Sequence, residues 1–331
     1  MDSDDIEWTR NEDTNVANMD SDVDSAFEEA QPDLISLTSS IFDCQIENGR
    51  SYHSMSEGKY VYPNDDLELA RLDLQHHIWL LTFDGALACS PGRHTAKRVL
   101  DMGTGTGIWA IDFADTYPES EVIGVDLSAS QPDLLPSNCS FEIDDLELDW
   151  RWNQPFDFIF CRSMAGSWSD FRSIIQKAYD NLTPGGYFEV QDIELPTHCD
   201  DGSVPSTAAI YRWEAALLEA SNEIGRSLNC AAECVEDLKS AGFVDICHQV
   251  FKWPFNKWPQ DPKLKEIGRW HCANMDMGVE GFSLALLTRV KGWPRADVEA
   301  LCEEVKRESK DTRMHGYWRM HAIHARKPGA S

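Results

Sequence analysis

The stretch V-L-D-M-G-T-G-T-G, Val99 to Gly107, decides how the rest of the chain is read. Residues 97–102 form a short apolar run with a basic start, the pattern of a strand buried in a parallel sheet. Gly103, Gly105 and Gly107 then alternate, and Ile108, Ile111 and Ala114 recur at the spacing of an amphipathic helix. Strand, glycine turn and helix together make a nucleotide-binding arrangement. Glycine lets a ligand approach bare main chain, and the new helix offers unpaired N–H groups at that spot. The run E-V-I-G-V-D, ending at Asp126, reads as the next strand. Its terminal carboxylate falls about 20 residues past the turn, where it can accept hydrogen bonds from both ribose hydroxyls of an adenosine.

The dinucleotide fingerprint G-x-G-x-x-G is not met, because Ile108 stands where the third glycine should fall. Asp101 lies two residues before the first glycine, and Asp126, Asp144 and Asp145 stand at further expected strand ends. Such a rim repels a pyrophosphate and attracts the sulfonium and ammonium of S-adenosyl-L-methionine. That molecule is the expected cofactor; a nicotinamide cofactor is disfavoured and no metal is expected. Three glycines alone are also compatible with a βα turn that binds nothing. Two further runs weigh against that: F-D-F-I-F-C from Phe156, and L-T-P-G-G-Y-F-E-V-Q-D from Leu182, a helix stop, a glycine turn and another strand.

Strands are expected at 97–102, 121–126, 139–143, 156–161 and 186–192, alternating with helices. That order implies a parallel sheet covered on both faces, with ligands beyond the carboxyl ends of its strands. Upstream, Asp65 followed by Glu68 has the capping-box pattern and opens a helix over 66–83; 85–92 reads as a linker. Downstream, helices are expected at 205–228, 232–241 and 295–310, and strands at 243–252 and 317–326. Between them, Trp253-Pro254, Trp258-Pro259 and Trp293-Pro294 read as breakers around short helical stretches.

The order V-L-D-x-G-T-G-T-G, V-I-G-V-D-L-S, F-D-F-I-F-C-R and L-T-P-G-G-Y resembles class I S-adenosylmethionine-dependent methyltransferases. N-G-R-S-Y-H at 48–53, G-K-Y-V-Y-P-N-D at 58–65, R-L-D-L-Q-H-H at 71–77, G-T-G-T-G-I-W at 103–109 and D-L-S-A-S-Q-P at 126–132 narrow the match. From about Asn48 onward the chain is similar to the fungal LaeA-like methyltransferases, a family tied to secondary metabolism and development. The resemblance implies an α/β, Rossmann-like seven-stranded sheet, mostly parallel with the last strand antiparallel, carrying helical cap insertions. The corresponding division is a disordered acidic tail at 1–40, a helical cofactor-lid segment at 41–96 and a methyltransferase domain at 97–331, with insertions at about 205–228 and 254–292. It also implies that Asp144 or Asp145 reaches the adenine amino group, that Leu127 or Ile143 packs on the ring, and that the upstream segment folds over the cofactor. Within that segment Tyr60 would hydrogen-bond the cofactor carboxylate. Two functions follow as expectations: a methyltransferase in fungal secondary metabolism or its regulation, and, as the alternative, a cofactor-binding scaffold working through velvet-type protein complexes.

Methyl transfer from a sulfonium is an in-line displacement, so alignment is the main requirement, and a base is needed only when the acceptor still holds its proton. Gly103, Gly105 and Gly107 would cradle the donor, Asp101 would orient the turn or the ammonium, and Asp126 would hold the ribose. His76 is the candidate base, against the plainer reading of a packed polar residue. Arg162 either clamps a substrate carboxylate or pairs with an acid of the 66–83 helix. Trp168, Tyr211, Trp213 and Trp270 are candidates to line an acceptor pocket, although with twelve Trp core packing is the default.

The 331 residues carry a net charge of −28, which argues against unaided nucleic-acid binding. Residues 1–33 hold twelve Asp and Glu against one Arg, the composition of a solvated tail or docking arm. The ten Cys show no paired zinc spacing, and no run has the length of a signal peptide or membrane span. The expected setting is intracellular, cytoplasm and/or nucleus. The expected partners are a small-molecule or protein methyl acceptor and velvet-type regulatory proteins, without direct nucleic-acid contact.

Overall fold

The computed structural model describes residues 44–53 and 61–329. The expected acidic tail and Tyr60 lie outside them. The chain enters through a hairpin in which β1 (Cys44–Glu47) pairs antiparallel with β2 (Arg50–His53). Asn48 and Gly49, both with positive φ, form its turn. Helix α1 (Asp66–Thr82) follows, and the Asp65 side chain caps it by accepting from the Glu68 N–H at 3.1 Å. The central elements are β3 (Arg98–Met102), α2 (Ile108–Thr116), β4 (Glu121–Asp126), β5 (Cys139–Ile143), β6 (Phe156–Arg162), α3 (Phe171–Asp180) and β7 (Leu182–His198). Then come α4 (Ala209–Glu223), α5 (Cys230–Ala241), β8 (Val244–Pro254), α6 (Pro262–Ala285), α7 (Arg295–Ser309) and β9 (Tyr317–Arg326).

Seven strands form one sheet in the order β5-β4-β3-β6-β7-β9-β8. β5, β4, β3, β6 and β7 pair in parallel, and β9 runs antiparallel between β7 and β8. The chain order reverses between β3 and β6, so a crevice opens beyond the carboxyl ends of those two strands. Alternation along β3 feeds both layers: Val99 belongs to the buried cluster of Trp109 and Phe113 of α2, while Leu100 belongs to that of Ile174 and Ile175 of α3 and Leu238 of α5. A third cluster joins α1, α4, α6 and α7 around Trp79, Trp213, Trp253 and Trp318, forming a helical cap over one end of the sheet.

Three expectations need correction. The segment between Trp253 and Trp293 holds one helix of 24 residues, α6, that continues into a π-helical turn at Leu286–Val290, where short helical pieces were expected. Its N-cap Asp261 accepts from the Leu264 N–H and Pro262 occupies its first turn, while Pro254, Pro259 and Pro294 all lie outside it. β7 is longer than 186–192, because its far half finds a second partner in β9. The 85–92 linker leads into a short 3₁₀ helix, Pro91–His94.

Candidate functional site

The glycine turn sits where the sequence places it. Gly103 and Thr104 donate their N–H groups to the Val125 carbonyl at 2.9 and 3.0 Å, which folds the turn across the end of β4. Gly103, Gly105 and Gly107 all have positive φ, and Gly107 is the N-cap of α2. A side chain at Gly107 would strike the Phe141 ring. Trp109, in the first turn of α2, stacks on Phe160 at 3.8 Å and donates its indole N–H to the Leu87 carbonyl at 2.8 Å, fixing the helix beneath the turn.

Around this turn lies a cleft of about 1080 Å³, counting its open mouth. Asp101, Gly103, Gly105, Asp126, Leu127, Asp144, Asp145, Arg162 and Trp168 all border it. Asp101 is buried and accepts from the Thr104 hydroxyl at 2.6 Å, so it braces the turn from below. Asp126 accepts from the Gly105 N–H at 2.8 Å and the Ser128 N–H at 3.0 Å, tying the strand end to the turn. Burial pushes both carboxyls up to about 6, against the hydrogen bonds that favour their charged forms. Asp144 accepts from the Asp145 N–H, and Asp145 from the Glu147 N–H, so this pair forms a local turn at the edge of the cleft. Leu127 borders the cleft; of the two candidates for the ring platform, Ile143 does not.

His76 projects from α1 into the cleft wall with both ring nitrogens engaged. Nε2 lies 2.9 Å from Asp112 Oδ2, and Nδ1 lies 2.9 Å from Arg162 Nη2. Burial, reinforced by Arg162, holds its pKa below the ordinary value despite Asp112. A neutral ring that donates to Asp112 and accepts from Arg162 satisfies all three groups and leaves no ring lone pair for an acceptor proton. Arg162 therefore meets a histidine on α1 rather than an acid of that helix. Burial lowers its pKa to about 10.

Several residues at the cleft wall or behind it were not foreseen. Gln131 donates to the Gly105 carbonyl at 2.7 Å; it stands in D-L-S-A-S-Q-P, the one signal that could have pointed to it. Arg226 arrives from beyond α4 and pairs with Glu147 at 3.0 Å. His53 and Leu72 close the cleft from the N-terminal side. Tyr52 is buried instead beneath the Arg289 guanidinium. Trp213 borders a second, adjoining cavity, whereas Tyr211 and Trp270 border neither.

Comparison with known proteins places the chain in a family. The methyltransferase domain family matches residues 74–248. Methyltransferase pytC of Aspergillus terreus is 37% identical over 308 residues, covering 93% of this chain and 95% of that protein. Secondary metabolism regulator LAE1 of Cochliobolus heterostrophus is 37% identical, covering 86% of this chain and 94% of its own. Protein-methionine methyltransferase laeA of Emericella nidulans is 35% identical, covering 85% of this chain and 76% of its own. The chain belongs to the methyltransferase domain family and, within it, to the LaeA-like methyltransferases.

Proposed function

We propose that this methyltransferase takes its methyl group from S-adenosyl-L-methionine held in the cleft over the glycine turn, and that it serves secondary metabolism or its control. The charge of the cleft carries the reading. Asp101, Asp126, Asp144, Asp145 and Glu147 border it against Arg162 and Arg226. Arg226 is bound to Glu147 and Arg162 to His76, so no guanidinium among the described residues of the cleft stands unpaired for a pyrophosphate. A sulfonium and an ammonium suit that field.

The residues present fit the cofactor: a bare-backbone cradle at Gly103 and Gly105, a carboxylate at the β4 end, and Leu127 as an apolar platform. When bound, S-adenosyl-L-methionine supplies a methyl on a cationic sulfur whose leaving form is a neutral thioether. Gly103 and Gly105 would receive the amino-acid part, Asp126 the ribose hydroxyls, and Asp144 or Asp145 the adenine amino group. Arg162 and His76 hold each other in place as a rigid wall, so their contribution is orientation and exclusion of water. Tyr60 retains its proposed contact with the cofactor carboxylate. The proposed setting is intracellular. Among the described residues, nine cysteines are free thiols and no helix is long and apolar enough to cross a membrane. Docking to velvet-type regulators would fall to the acidic segment, whose first 33 residues carry twelve Asp and Glu against one Arg.

Calorimetry with S-adenosylhomocysteine and with NAD tests the donor. The homocysteine ligand is expected to bind and Asp126→Ala to weaken it at least ~10-fold, a loss of ~1.4 kcal/mol. Preferential NAD binding, or an unaffected Asp126→Ala protein, overturns the reading.

A further inference from the structure

A second cavity of about 850 Å³, counting its open mouth, adjoins the donor cleft, and Leu72, Gln75 and Ser163 border both. Its far walls gather elements distant in sequence: Leu195 from β7, Trp213 and Leu217 from α4, Phe282 from α6, and Trp318 and Met320 from β9. An apolar chamber of this size with a few polar groups at one edge is the usual form of a small-molecule site. The cofactor contacts assigned above make no use of it.

The charged groups on its walls are already bonded. Arg71 Nη2 donates to Glu68 Oε1 at 2.7 Å, and Nη1 donates to Gln75 Oε1 and Asn274 Oδ1 at 3.1 and 3.0 Å. Asp192 accepts from the Met164 and Ile193 N–H groups, each at 2.8 Å. Burial pushes its carboxyl up to about 7. An entering anion would meet no open cation, and an entering ammonium no open carboxylate; either would lose its hydration uncompensated.

Two polar groups are left over, both at the shared edge. Among the described residues, neither the Ser163 hydroxyl nor the Gln75 amide nitrogen has a protein partner. Ser163 also has φ of 56°, rare outside glycine, and is held there by its N–H donating to the Gln191 carbonyl at 2.8 Å. Non-glycine residues in this region persist where the surroundings over-determine them, and they gather at functional sites.

We propose that this chamber is the methyl-acceptor site and that it takes an uncharged, largely apolar small molecule, which presents one hydroxyl or amide to Ser163 and Gln75. Its role as acceptor site rests on the donor reading of the neighbouring cleft; its preference for a neutral apolar ligand rests on its own walls.

Calorimetry on the full chain uses 2-naphthol as a neutral hydroxyl probe, 2-naphthoate as its anionic counterpart, and S-adenosylhomocysteine for the donor cleft. Naphthol is expected to bind below ~1 mM, and naphthoate at least ~10-fold more weakly. Leu217→Trp fills the chamber and should weaken naphthol at least ~10-fold while leaving S-adenosylhomocysteine within ~2-fold, which also reports an intact fold. Leu217→Phe, a milder change, should show the same direction. Absence of naphthol binding, equal binding of naphthoate, or Leu217 variants that bind both ligands like the parent overturns the chamber. If the naphthol profile holds but S-adenosylhomocysteine does not bind, the donor reading falls and the acceptor role falls with it.

Discussion

Gly107→Ala should cost more than its backbone angle alone demands, and the structure supplies a control that separates the two contributions. Gly107 has φ of 79°, and an added methyl would lie 3.0 and 3.1 Å from two Phe141 ring carbons and closer still to a third. The ring is also packed against Gly124, where an added methyl would stand 2.6 Å from it, so it has little room to shift. Gly185 has φ of 89°, and a methyl added there would meet nothing within 4 Å, so it carries the backbone cost alone. Forcing an L-residue into the left-handed region costs about 1–2 kcal/mol. Overpacking against a confined ring adds about 1–3 kcal/mol. Urea unfolding should therefore give about 1–2 kcal/mol lost for Gly185→Ala and about 2–5 kcal/mol for Gly107→Ala. Phe141→Ala removes the obstacle, so a double-mutant cycle should return a coupling of about 1–3 kcal/mol, with the pair less damaged than the sum. Equal losses at the two glycines, or zero coupling with Phe141, refute the claim that the turn is closed by this ring.

Three further outcomes follow. Asp101 and Asp126 titrate near 6 in the folded chain, above the usual 3.8, so between about pH 4 and 6 the folded state keeps protons the unfolded chain has released. Their contribution to stability is therefore fully present below pH 4 and lost as pH rises through 6. For the same reason cationic S-adenosyl-L-methionine should bind more weakly at about pH 5 than at about pH 7.5, and neutral-sulfur S-adenosylhomocysteine should change less; calorimetry showing equal changes refutes the carboxylate rim. Trp109→Ala should lose about 3–5 kcal/mol in urea unfolding, since it removes both the Phe160 stack and the bond to Leu87. A loss under about 1 kcal/mol refutes its role in fixing α2.

The strands were readable because a buried parallel sheet writes itself as continuous apolar runs. β4 falls where its apolar run puts it, and the antiparallel β9 where its alternation does. The glycine turn and Asp126 were readable because βα geometry imposes both their residue types and their spacing. Helix α6 was not, because the Trp-Pro pairs at 253–254, 258–259 and 293–294, all outside it, read as breakers of the whole segment, and its interior carries Gly268, Gly278 and Gly281. In the structure Gly268 lies against the Asn256 backbone, and Gly278 against Arg71 and Phe282. Close packing thus offsets the roughly 1 kcal/mol that glycine costs within a helix. The hairpin of β1 and β2 carries an Asn-Gly turn signal, but its four-residue strands lack enough alternation to count. The partners of His76 and Arg162, and the whole second cavity, depend on residues brought together from distant parts of the chain. No local pattern encodes those meetings.

Helix α1 walls the donor cleft with His76 and Trp79 and the second cavity with Glu68 and Arg71. It is pinned to the C-terminal half by Arg71 against Asn274 and by Trp79 against Trp253. Swinging this one rod outward would unroof both compartments together. Their common wall is thus held by the same few contacts to α6 and β8.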